Sequence, residues 1–174
     1  MTILKTERLI LRPPRDADRE DLVSALDNLN VSRWTGRIPY PYRPEVAEAF
    51  LIHVRQMPAS ALVLFITRKD ALMGCIGIEE DELGYWLAEP YWGQGFGTEA
   101  ARAMVDHAFQ AMKTEELVAS YHLGNAASQR ILLGLGFEET GEGLAFSRAR
   151  QAEVPHIKLR LTHEAWKEAK ERRR

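Results

Sequence analysis

Apolar positions change their period repeatedly along the chain, and each change predicts an element. Over residues 7–12, Leu9 and Leu11 share one face of a strand. Asp16 or Asp18 then caps a helix in which Leu22, Val23, Leu26 and Leu29 recur at helical spacing. Residues 30–43 carry Trp34, Pro39, Tyr40, Pro41 and Tyr42, and the prolines exclude a regular element there. Pro44 suits the first turn of a second helix, with Val46, Ala47, Phe50, Leu51 and Val54 on its inner face.

The middle of the chain reads as strands. Residues 61–67, 73–78 and 83–88 are short apolar runs, separated by the Lys69-Asp70 turn and the acidic residues 79–82. Connections this short make antiparallel neighbours. After Gly97 the period becomes helical, through Ala100, Ala101, Met104, Val105, Ala108, Phe109 and Met112. Residues 117–121 return to a strand. Asn125 can cap a helix carrying Ile131, Leu132 and Leu135, and Gly136 sits where a left-handed terminator falls. Ile157, Leu159 and Leu161 alternate with Lys158 and Arg160, and Thr162 caps a charged terminal helix. The order is strand, two helices, three strands, helix, strand, helix, then strands, which predicts an α+β (mixed α/β) fold. A helix joining residues 83–88 to 117–121 allows one parallel pair beside the antiparallel ones.

Composition narrows the class. The 174 residues are 45% hydrophobic and no repeat or linker divides them, so one domain over residues 1–174 is expected. A net charge of -2 with mixed signs excludes the basic footprint of a nucleic-acid binder. The basic run at residues 170–174 complements a helix C-terminus. The one cysteine, Cys75, lies in an apolar run and reads as a core residue. With no disulfide available, a reducing, cytoplasmic setting is expected. Residues 4–8 interrupt any signal-like stretch, and no apolar run approaches the roughly 18 residues of a membrane span. His53, His107, His156 and His163 lack metal-ligand spacing, so no metal is expected.

The chemistry gathers at Trp92-Gly93-Gln94-Gly95-Phe96-Gly97-Thr98, between a strand and a helix. Its alternating glycines let the backbone approach a ligand closely. The following helix begins with unpartnered N–H groups at its positive dipole end. Together these make a nest for a phosphate or pyrophosphate. Gly95, Gly97 and Ala100 also fit the dinucleotide pattern. That pattern expects an acid about 20 residues on, at the end of the next strand. Here that strand ends Ser120-Tyr121-His122, which turns the loop away from dinucleotides.

With Thr6-Glu7-Arg8-Leu9-Ile10-Leu11-Arg12-Pro13, Gly84-Tyr85-Trp86-Leu87, Tyr91 to Ala100, Asn125-Ala126-Ala127-Ser128-Gln129-Arg130 and Leu135-Gly136-Phe137 in this order, the chain resembles the GNAT superfamily of acyl-coenzyme A N-acyltransferases. Within it, the chain is most similar to the ribosomal-protein N-terminal-alanine acetyltransferase group. The resemblance implies a central, mostly antiparallel mixed sheet flanked by helices, with residues 83–88 and 117–121 as a splayed parallel pair. It implies acetyl-coenzyme A as co-substrate, its pantetheine pairing with backbone near Leu87 and Ala88 and its pyrophosphate on Trp92, Gly93, Gln94, Gly95, Phe96, Gly97 and Thr98. Asn125 would orient the pantetheine, and as a plain helix cap it would leave its amide N–H₂ free for that.

The resemblance further implies a backbone N–H near Leu87 as oxyanion donor and Ser128 as acid toward the departing sulfur. Many superfamily members place a tyrosine seven residues after the asparagine, where this chain has Leu132. Glu79 and Glu82, in a cluster with Glu80, are candidate bases acting through water; a solvated acidic turn is the alternative. His122 ends a strand beside the cleft and titrates in the useful range. Trp34, Tyr40, Tyr42 and His122 are expected to border an acceptor amine, either a protein N-terminus or a small molecule. A non-catalytic acyl-coenzyme A module and a nicotinamide-dependent oxidoreductase are the competing functions. A homodimer through exposed strand edges is a further expectation.

Overall fold

The computed structural model describes residues 2–173. In chain order the strands are β1 (Leu4–Lys5), β2 (Ile10–Arg12), β3 (Leu62–Arg68), β4 (Ala71–Glu79), β5 (Glu82–Leu87), β6 (Glu116–His122), β7 (Glu138–Ser147) and β8 (Ala152–Thr162). The helices are α1 (Arg19–Leu26), α2 (Leu29–Ser32), α3 (Pro44–Gln56), α4 (Phe96–His107), α5 (Ala126–Leu135) and α6 (His163–Arg172). All eight strands form one sheet in the order β1-β2-β3-β4-β5-β6-β8-β7. Its described pairs are antiparallel except β5 with β6.

The central strands are buried on both faces, which explains the near-continuous apolar runs of β3 and β4. Leu64 and Ile66 of β3 join a core with α4, α5 and α6, whereas Phe65 between them joins a second core with α1 and α3. Hairpins build this half of the sheet. Lys69 and Asp70, then Glu80 and Asp81, carry positive φ of 49°, 64°, 50° and 63°. Two successive left-handed residues form the tight turn that matches strand twist.

The parallel pair is short. Glu82 lies opposite Val118 and Leu83 opposite Ala119, and the pairing stops there. Beyond it β5 stays with β4 as far as Leu87 opposite Gly74, while β6 stays with β8 as far as His122 opposite His156. The sheet therefore opens between Gly84–Leu87 and Ser120–His122. Gly74 lets β5 lie tight against β4 at the open end. A Cβ there would sit 2.2 Å from the Trp86 carbonyl oxygen.

Several boundaries differ from the pattern-based expectation. The first strand is broken, because Thr6 N donates to Leu9 O and turns the chain between β1 and β2. Asp18 does not cap α1 with its side chain. Its carboxylate accepts from Arg12 Nη1 and Nη2 at 2.8 and 2.6 Å and from Arg15 N. Leu29 begins the separate helix α2, capped by Asn28, and is exposed. The α4 helix closes through a wider turn at Ala108–Met112. Strand β7 has too little apolar alternation to be located from its residues, and it is held by its pairing with β8.

Candidate active site

The glycine loop at residues 92–98 is built by its backbone. Gly93 and Gly95 have φ of 70° and 79°, and Gly95 is the N-cap of α4, with no side chain to satisfy the first-turn N–H groups. Glu99 N bonds back to Gly95 O, which leaves the N–H groups of Phe96, Gly97 and Thr98 at the helix mouth. Phe96 is buried, and its ring anchors the loop.

Side chains in the loop brace it. Trp92 Nε1 donates to Leu87 O at 2.8 Å, and Gln94 Nε2 donates to Pro90 O at 2.9 Å. The Ala88 N–H is donated to Met73 O and the Ala88 carbonyl accepts from Tyr91 N. Strand alternation then turns the Leu87 N–H away from β4 and toward the opening.

Two cavities flank the opening. The first, of about 660 Å³, runs from the glycine loop to the start of α5. Leu87, Trp92, Gly93, Gly95, Phe96, Gly97, Thr98, Asn125 and Ser128 line it, whereas Ala88 and Gln94 do not. The second, of about 830 Å³, lies toward α3 and β8 and is lined by Trp34, Tyr42, Glu79, Glu82 and His122. Tyr40 lines neither and is exposed. Trp34, Thr35, Leu83, Gly84, Tyr85, Trp86, Ser120 and Tyr121 line both cavities, so the two meet through the splay.

Tyr85 is the residue that pattern reasoning missed. Its hydroxyl lies 2.8 Å from Ser128 Oγ across the cleft. Burial pushes its phenol up to about 12, although the Ser128 hydrogen bond works the other way. Ser128 N donates to Asn125 Oδ1 at 3.2 Å, so the α5 cap also fixes the serine. The available signal was a phenol inside the Gly84-Tyr85-Trp86-Leu87 segment.

On the second cavity, Glu79 accepts from Arg37 Nη1 at 2.6 Å and lies 3.6 Å from His53 Nε2. Glu82 lies 3.8 Å from Arg37 Nη2. Trp34 is held by the guanidinium carbons of Arg33 and Arg150, each 5.1 Å from its ring. His122 is buried, with Nδ1 3.3 Å from Arg33 O. A carbonyl only accepts, so Nδ1 carries the proton and Nε2 the lone pair. Burial pushes the imidazole below its ordinary value, helped by the nearby Arg150 and His156, against the opposing Arg33 carbonyl. Tyr42 is buried, and its phenol is pushed up to about 12 by that burial.

The splayed pair, the glycine loop and the two meeting cavities form one continuous cleft through the sheet. Residues 8–138 match the acetyltransferase (GNAT) domain family, and the chain belongs to that family. It is 29% identical over 153 residues to the uncharacterized N-acetyltransferase YoaA of Bacillus subtilis, covering 80% of this chain and 84% of that one. It is 30% identical over 84 residues to the ribosomal-protein-serine acetyltransferase of Escherichia coli, covering 44% of this chain and 47% of that one. The fold also matches microcin C7 self-immunity acetyltransferase MccE, solved with acetyl-CoA and AMP, with a TM-score of 0.77 at 17% identity. That match covers 90% of this chain and 93% of MccE. The protein is therefore an acetyltransferase.

Proposed function

We propose that this protein transfers the acetyl group of acetyl-coenzyme A to a primary amine by direct attack within a ternary complex. The observation that carries the reading is the meeting of two cavities at a strand splay, with a helix N-terminus at the far end of one. The glycine nest suits a pyrophosphate, since its free N–H groups have no side-chain cap. The pantetheine would pair with Leu87, whose N–H faces the opening. Ala88 has both backbone groups engaged and supports the strand instead.

The acceptor amine enters from the second cavity, past Trp34 and Tyr42. Glu79 and Glu82 draw its ammonium in. His122 takes the proton at Nε2, because it is neutral at working pH and the carboxylate of Glu79 is held by Arg37 and His53. The amine nitrogen attacks the thioester carbonyl carbon, and a backbone N–H of β5 near Leu87 hydrogen-bonds the developing oxyanion. The C–S bond then breaks while Ser128 hydrogen-bonds the departing sulfur with Tyr85 behind it, and the second proton of the attacking nitrogen passes through solvent to the thiolate. The products are an N-acetyl amide and free coenzyme A thiol. The Escherichia coli relative acts on a ribosomal protein, which favours a protein N-terminus over a small amine.

The test is thiol release from acetyl-coenzyme A against a panel of peptides and small amines. Turnover is expected with at least one N-terminal amine. The proposal fails if no amine accelerates thiol release and coenzyme A leaves the melting temperature unchanged. A ligand at 100 times its dissociation constant adds about 2.7 kcal/mol.

A further inference from the structure

The first turn of α4 carries the carboxylate of Glu99 close to the helix N-terminus proposed above to take an anion. Glu99 is charged at working pH: burial opposes ionisation, but hydrogen bonds from Thr6 and Arg8 hold its carboxyl below the ordinary range. Its Oε1 accepts from Thr6 Oγ1 at 2.5 Å and Arg8 N at 2.8 Å, and its Oε2 from Arg8 Nε at 2.6 Å. Such a carboxylate stabilises the bare helix terminus but repels a pyrophosphate there.

Arg8 answers both problems. Its Nη1 donates to Gln94 O at 3.0 Å. In a trans peptide the C=O and N–H point in opposite directions. Holding the Gln94 carbonyl toward Arg8 therefore aims the Gly95 N–H the other way, into the cleft that Gly95 lines. The guanidinium also stacks 4.4 Å from the Phe96 ring centroid, and its Nη2 lies 3.3 Å from where a Gly95 Cβ would stand. One cation thus fixes the loop, offsets Glu99 and carries a spare donor beside the nest.

We propose that Arg8 is a positioning residue for the donor pyrophosphate, acting through the Gln94-Gly95 peptide and the Glu99 carboxylate. The inference rests on the acetyl-coenzyme A reading above. Its test compares coenzyme A with pantetheine, which lacks the pyrophosphate, as competitive inhibitors of the wild type, Arg8→Gln, Arg8→Lys and Arg8→Gln/Glu99→Gln. Arg8→Gln is expected to weaken coenzyme A roughly tenfold and pantetheine less than about twofold. Adding Glu99→Gln should recover part of that loss by removing the bare charge. Arg8→Lys keeps the cation without the fork, so its coenzyme A affinity should fall between the wild type and Arg8→Gln. Equal losses for both ligands, or no recovery in the double variant, would overturn the role of Arg8. If the wild type itself does not prefer coenzyme A to pantetheine, the donor reading falls with it.

Discussion

Replacing Tyr85 with phenylalanine separates two accounts of how the sulfur leaves. The Tyr85 phenol is pushed up to about 12 by burial. A departing thiolate takes a proton with a pKa of about 8.5. Full transfer from the phenol is thus opposed by about 3.5 pH units, or roughly 5 kcal/mol. The Tyr85–Ser128 pair should therefore act as a polarised hydrogen-bond donor to the sulfur, and its full acid role should be minor. A hydrogen bond to a charged group contributes about 1.5–3 kcal/mol, which is roughly a tenfold to hundredfold change in kcat. Tyr85→Phe and Ser128→Ala should each lower kcat by about that factor in steady-state thiol release, with KM for acetyl-coenzyme A little changed. The double variant should lose no more than the worse single one, because one relay can be broken only once. Losing the Tyr85–Ser128 bond should cost about 1 kcal/mol of stability, a melting shift of roughly 2–4 °C. An unchanged kcat in Tyr85→Phe, or losses that multiply in the double variant, would refute the relay.

Three further outcomes follow from the packing. Gly97→Val places a Cβ 3.0 Å from Ile131 Cδ1 and 3.3 Å from Leu87 Cδ1, so the cleft narrows and KM for acetyl-coenzyme A should rise more than kcat falls. Asp18→Asn strands the Arg12 guanidinium, whose side chain is 7% exposed, and should cost about 3–5 kcal/mol in urea unfolding. The Asp18 carboxyl lies below the ordinary range, held there by Arg12 and the Arg15 N–H against its burial. Its stabilisation is present above that range and lost as pH falls through the folded value, so acid unfolding should begin at higher pH in the variant. At the alkaline end, Tyr42, Tyr85 and Tyr121 are each raised to about 12, by burial first and for Tyr121 also by its hydrogen bond to Glu139. Groups raised in the folded state stabilise it fully below the unfolded value near 10. Melting temperature should therefore decline as pH rises from about 10 to 12, and a flat profile there would contradict the burial of the phenols.

The candidate site was legible where one residue type has one physical use. Gly93, Gly95 and Gly97 between a strand and an apolar-striped helix predict a loop open to a ligand, and the structure puts all three on the cleft. Asn125 showed as a helix cap and Ser128 as its neighbour. Tyr85 did not show, since a tyrosine in a strand is ordinarily a packing residue. Its meaning comes from Ser128, which lies 43 positions away in sequence and 2.8 Å away in space. Thr6, Arg8 and Glu99 were visible as fragments of a resemblance but had no assigned role, because the clamp joins segments 91 positions apart.

The hydrophobic periods by themselves determined most of the helices and central strands, and the short connections determined the antiparallel hairpins. These features depend on neighbours within a turn or a strand, so the information is local. The splay was different: by periodicity residues 83–88 and 117–121 read as two ordinary strands, the expectation that they part came only from the family resemblance, and the sheet decided that they pair at two positions before parting. The break follows from competing partners, because β5 is held by β4 and β6 by β8 beyond that point. The placement of Tyr40 outside both cavities, the buried Arg12–Asp18 pair and strand β7 were likewise decided by long-range packing. Local pattern sets which elements form. Which backbone groups remain unpaired and facing a cleft is a property of the assembled sheet.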